Sequence, residues 1–296
     1  MYTQFFGNYL VSRGVIPPNR LAELLKIQAE SHIKIGVLAV HAGYMTGGEV
    51  EHVFIMQTHK NLRFGELAIK EGYLTPEQVK ALLASQTPDF LLLGQILVEQ
   101  HIVSSTELQN LMTDYQSDYE LCDLDELDEQ KEMVKRLIQN FYHFENIVHA
   151  DKVANYLNLF FNTLVRFIGA EFTPLNIISL QEIPTNYCVL QMINGPLHML
   201  TALDMEPQTA IGFASLYVSE EFDQFDEYVK ASLEDFLNLL NGLFSVSMSN
   251  EYSTELGLEP LIVYENTILS AEKLAYMIPI VFSFGTIYFI LSNLTD

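Results

Sequence analysis

The stretch Phe64–Gln86 reads FGELAIKEGYLTPEQVKALLASQ, and its pattern recurs along the first third of the chain. Its first glycine belongs to a series with a constant spacing of 29 residues: Gly7, Gly36, Gly65 and Gly94. Seven residues after each of these stand Gly14, Gly43, Gly72 and His101. A constant period of this length is the signature of a repeat architecture. We therefore predict four repeats over residues 1–116.

Each repeat can be interpreted as two short helices. The first helix ends at the second glycine of the repeat, which suits a left-handed C-terminal cap. The second helix begins at Thr46, Thr75 or Ser104, and Glu49, Gln78 or Glu107 follows three residues later. This spacing is the sequence form of a capping box. A pair of such helices cannot bury its apolar face alone, so we expect the repeats to stack into an all-helical domain.

Length and cysteine content limit the class of protein. A chain of 296 residues has room for two domains. Its two cysteines, Cys122 and Cys188, are too few for a disulfide framework, and the spacings of zinc sites are absent. The N-terminal residues MYTQFFGNYLVSRG lack the basic region and apolar run of a secretory signal. We therefore expect a cytoplasmic protein with no metal site of its own.

The negative charge is concentrated in the second part of the chain. Residues 1–113 hold eight Lys/Arg and ten Asp/Glu, a net charge of −2, so −21 of the total of −23 lies beyond them. Such a surface repels nucleic acid and anionic membranes, and we expect neither as a partner. Nine of the acids lie within residues 114–132, which predicts an acidic linker over 117–132.

The uncharged segment Leu274–Leu294 is long enough to cross a bilayer. It is rich in Ile, Val, Phe and Tyr, which favour strands, and Pro279 and Gly285 interrupt it. Residues 283–286, Ser-Phe-Gly-Thr, have the composition of a hairpin turn. We therefore predict two buried strands here and no membrane helix.

Residues 133–296 have the pattern of a mixed helical and sheet domain. Helical spacing over 153–168 stops at Gly169, and Asn194-Gly195 is a strong hairpin signal. The remaining predicted elements are strands at 177–180, 187–193, 197–203 and 261–263, and helices at 207–218 and 226–248. This order predicts an α+β fold in which an antiparallel-rich sheet carries its helices on one face.

The second long helix, SLEDFLNLLNGLFSVSMSNE, resembles the signature helix of the CheC/CheX family of chemotaxis phosphatases. That family places an acid three residues before an asparagine and a glycine four residues after it. Here these positions are Asp235, Asn238 and Gly242. The order of elements over residues 150–294 is also similar. The family usually has Glu where this chain has Asp235, and Glu234 is the alternative carrier of that role.

The resemblance implies hydrolysis of the aspartyl phosphate on a CheY-like receiver domain. Asn238 would orient the attacking water, and the acid would pair with a lysine of the receiver. The resemblance implies no cofactor on this chain, because the receiver brings its own Mg²⁺. No acid stands three residues before Asn155, Asn158 or Asn162 in the first helix, so we expect a single site, as in CheX. A homodimer is left open.

The repeats have a resemblance of their own. Together with Arg63, the stretch quoted first is similar to the N-terminal domain of type II secretion and MshE-type ATPases. In some of those domains paired motifs bind cyclic di-GMP, which makes Arg63, Gly65, Lys34 and Gly36 the candidate nucleotide-binding residues. Lysine does not reproduce the bidentate contact of a guanidinium. We therefore do not expect cyclic di-GMP to bind, and we favour a packing or docking module.

The sequence thus predicts a two-domain signalling protein whose CheX-like domain binds a phosphorylated receiver and hydrolyses its phosphate. Two alternatives stay open. One is a non-catalytic adaptor that uses the same fold for recognition, and the other is a cyclic di-GMP effector. Asp235 in place of Glu favours the adaptor, whereas Asn238 favours the enzyme.

Overall fold

The structure is a computed structural model that describes residues 5–29, 33–59, 63–84, 90–118, 138, 142 and 150–292. The chain divides into two units, Tyr9–Asp123 and the combination of Met1–Asn8 with Leu124–Asp296. The predicted domain limits of 1–116 and 133–296 stay a prediction. The predicted linker 117–132 lies outside the described residues beyond Asp118.

The described part of the Tyr9–Asp123 unit consists of helices joined by short turns. The helices alternate as the repeat pattern predicts, a first and a second helix in each repeat. They are α1 (Phe6–Ser12, which crosses the division between the units), α2 (Pro18–Ala29), α3 (Ile35–His41), α4 (Gly47–His59), α5 (Phe64–Lys70), α6 (Pro76–Ala84), α7 (Phe90–Glu99) and α8 (Ser105–Asp118).

The predicted caps of these helices are confirmed. Gly14, Gly43 and Gly72 have φ values of +70°, +68° and +78°, and His101 adopts the same left-handed conformation at +56°. At the other helix ends, the backbone amides of Thr46, Thr75 and Ser104 donate to the side chains of the predicted box partners at 2.7, 2.8 and 2.8 Å. The return bonds from the partners' amides to the hydroxyl groups measure 3.3, 3.2 and 3.2 Å.

Close packing explains the first glycine of the second, third and fourth repeats. A Cβ added to Gly36, Gly65 or Gly94 would lie 3.0, 3.2 or 2.9 Å from the side chain found fourteen residues later. Those side chains belong to Val50, Val79 and Leu108, on the second helix of the same repeat. The glycine therefore lets the two helices of a repeat approach each other. A separate domain of four stacked repeats stays a prediction.

The described part of the second unit follows the predicted order of helix, strands, two helices and strands. The helices are α9 (Ala150–Phe167), α10 (Pro207–Val218) and α11 (Glu227–Tyr252). The strands are β1 (Phe172–Pro174), β2 (Ile178–Pro184), β3 (Tyr187–Asn194), β4 (Met199–Met205), β5 (Gly257–Leu258), β6 (Ile262–Glu265), β7 (Ile268–Phe282) and β8 (Gly285–Ser292).

The strands form one antiparallel sheet in the order β1-β7-β8-β4-β3-β5, with β2 also paired to β7 and β6 also paired to β3. The predicted hairpin is confirmed as β7 and β8, which are joined at Ser283-Phe284. Pro279 does not interrupt the strand, because β7 continues through it and Pro279 pairs with Tyr288. Among the described helices, none combines the length and the apolar character that a membrane crossing requires.

One face of the sheet carries α9, α10 and α11. Aromatic side chains fill the space between them: Phe160 of α9 stacks on Phe289 of β8 with ring centroids 4.1 Å apart. Tyr156 meets Phe244 of α11 edge-on at 4.7 Å. Phe5 adds an edge-on contact to Phe161 at 5.6 Å. This core holds α11 against the sheet, and α11 carries the signature residues.

The other face of the sheet has a smaller apolar cluster and one buried carboxyl group. The cluster consists of Ile183, Cys188, Leu190, Ala202, Ala275 and Ile290. Asp204 of β4 is 2% exposed and accepts a hydrogen bond from the Asn186 backbone N–H at 2.8 Å. Burial raises the pKa of Asp204 to about 6, because the charged form loses its hydration.

The raised pKa of Asp204 predicts a pH-dependent contribution to stability. Between its unfolded value near 4 and its folded value of about 6, the native state binds the additional proton, so stability falls as pH rises through this window. Asp204→Asn should therefore stabilise the protein by up to about 2 kcal/mol at pH 7 and change it little at pH 4. Urea unfolding at pH 4, 5, 6 and 7 measures this difference.

The exposed acid Asp223 offers the matched control, since Asp223→Asn should shift stability by less than about 0.5 kcal/mol at every pH. A stability difference between Asp204→Asn and the wild type that stays constant from pH 4 to pH 7 would contradict the prediction.

Candidate functional site

The site is built on α11, whose start and orientation follow from its sequence. The Asp226 carboxylate caps the helix by accepting from the backbone amides of Tyr228 and Val229 at 3.0 and 3.1 Å. One side of the helix is apolar and buried, and it carries Val229, Leu233, Phe236, Leu237, Leu240, Phe244 and Met248. This orientation leaves Asp235 and Asn238 exposed and Glu234 half-buried.

The carboxylate of Asp235 is held by α10. The hydroxyl group of Tyr217 donates to Asp235 Oδ2 at 2.6 Å. Burial raises the pKa of Tyr217, and the adjacent Asp235 carboxylate raises it further, so the phenol stays a donor at physiological pH. One oxygen of Asp235 is thus occupied, and the exposed carboxylate has a preferred orientation next to Asn238.

Glu234 lies on the opposite side of Asn238, toward β3. It accepts from the Tyr187 hydroxyl group at 3.4 Å. Viewed down the helix axis, Glu234, four residues before Asn238, is rotated from it by about 40° in one direction. Asp235, three residues before it, is rotated by about 60° in the other direction. Glu234 and Asp235 therefore flank Asn238, one beside β3 and the other beside α10.

Beyond Glu234 lies a neutralised lysine. The ammonium group of Lys230 pairs with Glu265 at 3.0 Å and with Glu227 at 3.5 Å. It also lies 5.6 Å from the ring of Tyr187 and 5.4 Å from that of Phe225. Its charge is therefore matched locally, and it does not offset Asp235.

The carboxamide of Asn238 is held from beneath by β3. Gln191 Nε2 donates to Asn238 Oδ1 at 3.1 Å and to the backbone carbonyl oxygen of Glu259 at 2.9 Å. Gln191 Oε1 in turn accepts from Asn241 Nδ2 at 2.8 Å. Sequence reasoning missed Gln191 and Asn241. Their only local signal is a polar residue among the apolar ones of β3 and a second asparagine one turn after Asn238.

The glycine of the signature, Gly242, lies on the same side of α11 as Asn238 and is partly exposed. A Cβ added to Gly242 would meet no atom within 4 Å. Packing inside the described chain therefore does not require a glycine here. Leu243 follows it and Val246 lies one turn further on, and both are exposed, at 39% and 59%, so the surface around Gly242 includes apolar side chains.

The asparagines of α9 form no comparable site. Asn155 Nδ2 donates to the hydroxyl group of Tyr252 at 2.6 Å, and Asn162 Nδ2 donates to Asn158 Oδ1 at 3.2 Å. In the described ranges, no group of three or more His, Cys, Asp or Glu side chains is arranged to hold a metal ion.

Two of the four candidate nucleotide residues line an apolar cavity of the described helices. Lys34 and Gly36 line an apolar cavity with Phe54, whereas Arg63 and Gly65 do not line it. The Lys34 ammonium pairs with Glu99 at 2.6 Å. Gly36 and Gly65 serve the helix packing described above. The expectation that cyclic di-GMP does not bind at these four residues stays a prediction.

Comparisons with known proteins give matches among solved structures only. Neither a protein-family model nor a curated protein matches the chain. A CheC-like superfamily protein from Shewanella sp. PV-4 matches with a TM-score of 0.42 and 17% identity, over 48% of this chain and 96% of that one. The chemotaxis protein CheX from Desulfovibrio desulfuricans gives 0.41 and 13%, over 48% and 98%.

A complex of CheX with CheY, BeF3 and Mg²⁺ from Borrelia burgdorferi matches with a TM-score of 0.37 and 20% identity, over 47% of this chain and 95% of that one. The resemblance of the repeats to secretion ATPases stays a prediction. About half of the chain is thus similar to CheX- and CheC-like chemotaxis proteins.

Proposed function

We propose that the second unit binds the phosphorylated receiver domain of a CheY-like response regulator and hydrolyses its aspartyl phosphate. The observation that carries the proposal is the geometry at Asn238. This carboxamide is exposed, yet it is held by a buried glutamine, and an oriented carboxylate lies one helical turn before it on the same face.

The chemistry needs no nucleophile from this chain. An acyl phosphate is already activated, so a phosphatase contributes chiefly the position and polarisation of the attacking water. Asn238 Oδ1 keeps a lone pair after accepting from Gln191, and its Nδ2 donates to no described residue. The amide can therefore accept one water hydrogen and donate to the water oxygen, which leaves the second lone pair of the water for phosphorus.

Asp235 supplies the docking charge. Its Oδ2 is engaged by Tyr217, which leaves Oδ1 for a cation of the partner. The acid-rich turn before α11 adds to the negative potential: Glu220, Glu221, Asp223 and Asp226 are exposed there. A lysine of the receiver would be attracted to this side of the site and would fix the register of docking.

The proposal is tested with a CheY-like receiver that carries a tryptophan, phosphorylated in the presence of Mg²⁺. The chain contains no tryptophan, so receiver fluorescence can be followed without background from it. We expect the wild-type chain to shorten the lifetime of the aspartyl phosphate catalytically. Binding without faster phosphate loss would contradict the enzyme and leave the non-catalytic adaptor.

Asp235 variants test the docking role. We expect Asp235→Ala to weaken association with the receiver about tenfold, because one carboxylate–lysine contact is lost. Asp235→Asn keeps an oxygen for the Tyr217 hydroxyl group and should weaken association similarly, and Asp235→Glu should keep or raise activity. Affinities measured at two salt concentrations check this, with Asp151→Asn, a change at an exposed acid of α9, as the matched control. Unchanged affinity in Asp235→Asn would contradict the role and favour Glu234.

Gly242→Ala separates stability from docking. A glycine within a helix costs about 0.8–1 kcal/mol relative to alanine, and the added Cβ has open space, so the variant should be more stable by roughly that amount. A close approach by the receiver should nevertheless make it bind less tightly. Urea unfolding measures the change in stability, and receiver affinity measures the change in docking. Ser249→Ala, at an exposed position of the same helix, is the control. Gly242→Ala with unchanged affinity would remove this face from the proposed interface.

A further inference from the structure

A chain of hydrogen bonds runs from the core of the second unit to Asn238. Tyr156 donates through its hydroxyl group to Asn241 Oδ1. Asn241 Nδ2 donates to Gln191 Oε1 at 2.8 Å and to Thr201 Oγ1 at 2.9 Å. Gln191 Nε2 completes the chain with its bonds to Asn238 and to the Glu259 carbonyl. Tyr156, Thr201 and Asn241 are 0% exposed and Gln191 is 2% exposed.

The direction of donation along this series of hydrogen bonds is determined at the Glu259 carbonyl. A backbone carbonyl only accepts, so the Glu259 carbonyl requires that Gln191 present Nε2 to it. Gln191 Oε1 must then face Asn241, whose amide group supplies the matching donor. The Glu259 backbone is itself held in place, because its N–H donates a hydrogen bond to the Met192 carbonyl oxygen at 3.0 Å. The orientation of each carboxamide thus follows from a backbone group of fixed direction.

The need to pair buried polar groups with hydrogen-bond partners does not account for the last hydrogen bond, from Gln191 to Asn238. Asn238 is exposed and could exchange its hydrogen bonds with water at little cost, whereas the buried polar groups beneath it are expensive to retain. Apolar side chains at the three buried positions on β3, β4 and α11 would pack without this requirement. The network instead connects the core to one surface carboxamide.

We infer that Gln191 is a positioning residue for Asn238: it engages Oδ1 and so turns the Nδ2 amide outward, toward the bound phosphoryl group and its water. This inference rests on the proposed function for its catalytic consequence, but its geometric part holds for the free protein. Because Gln191 is buried under α11, it acts through Asn238 and does not touch the receiver.

The test uses Gln191→Met in the full chain, which removes the donor and the acceptor at similar volume. We expect kcat for receiver dephosphorylation to fall about tenfold, the effect of about one lost hydrogen bond, with KM unchanged within about twofold. In the free protein, the ¹⁵N relaxation of the Asn238 side-chain amide should change from ordered to mobile. Val189→Ala, a truncation at a buried site on the same strand, is the control for lost stability and should keep wild-type kcat.

Gln191→Glu is the second variant. Its ionised carboxylate still accepts from Asn241 but offers Asn238 no donor, so the Asn238 amide should reverse and kcat should fall. Burial raises the pKa of such a carboxyl group. The neutral acid regains a donor, so the loss relative to wild type should shrink as pH falls, a dependence that a purely structural role would not produce.

Wild-type kcat together with an ordered Asn238 amide in folded Gln191→Met would overturn the inference. If both Gln191 variants fail to fold, Gln191 is a core residue and the inference also fails. If the wild-type chain hydrolyses no phosphate but the amide becomes mobile in Gln191→Met, the proposed function fails and the positioning stands.

Discussion

Replacing Asn238 with alanine should lower the rate of receiver dephosphorylation by at least about 100-fold while leaving receiver affinity within about threefold of wild type. The expected size follows from enzymes in which one positioned polar group that acts on the transition state is removed. Docking should survive because the carboxylate of Asp235 and its bond from Tyr217 are untouched. Phosphate release and equilibrium binding, measured separately on the same receiver, check the two halves of this result.

Stability should change little in Asn238→Ala. The side chain is exposed, and Gln191 Nε2 retains the Glu259 carbonyl as an acceptor, so the loss should stay within about 1 kcal/mol. Asn250→Ala is the matched control, because Asn250 is an exposed asparagine three turns further along α11. Equal activity in the two variants would exclude Asn238 as the water-orienting group, and unfolding of Asn238→Ala would make it a structural residue.

Local patterns in the sequence predicted those parts of the fold that local chemistry determines. The capping boxes at Thr46, Thr75 and Ser104 depend on two residues three positions apart, and all three form. Helix α10 has its predicted limits because Pro207 suits a first turn and Ser219 ends the helix in the left-handed conformation. The strand β7 was predicted too short, since its first half is stabilised by pairing with the distant β2.

Only the site residues that lie on one continuous helix could be predicted from the sequence. Asp235, Asn238 and Gly242 follow helical spacing, so their common face could be derived from the sequence. The groups that orient them are remote: Tyr217 belongs to another helix, and Gln191 lies 47 residues before Asn238. A single polar residue in an apolar strand does not indicate which partner it will meet, so no local pattern could have identified either contact.

The largest loss of stability is expected for Gly285→Ala, at the turn between β7 and β8. Gly285 has a φ of +149°, a conformation that residues with a Cβ rarely adopt. An added Cβ would lie 2.1 Å from Thr209 Oγ1 and 2.9 Å from Thr209 Cβ, and Thr209 is buried in the first turn of α10. Backbone strain and overpacking together should cost at least about 3 kcal/mol.

Urea unfolding of the full chain measures this effect, and Gly242→Ala is the matched substitution with the opposite expected sign. Both changes add one methyl group to a glycine, but only Gly285 combines a positive φ with a close neighbour. Adding Thr209→Ala to Gly285→Ala should restore part of the loss, because it removes Thr209 Oγ1 but leaves the backbone strain. The turn also packs against α10 through Phe284, which lies next to Gly212. An unfolding midpoint of Gly285→Ala equal to that of wild type would contradict this arrangement of hairpin and helix.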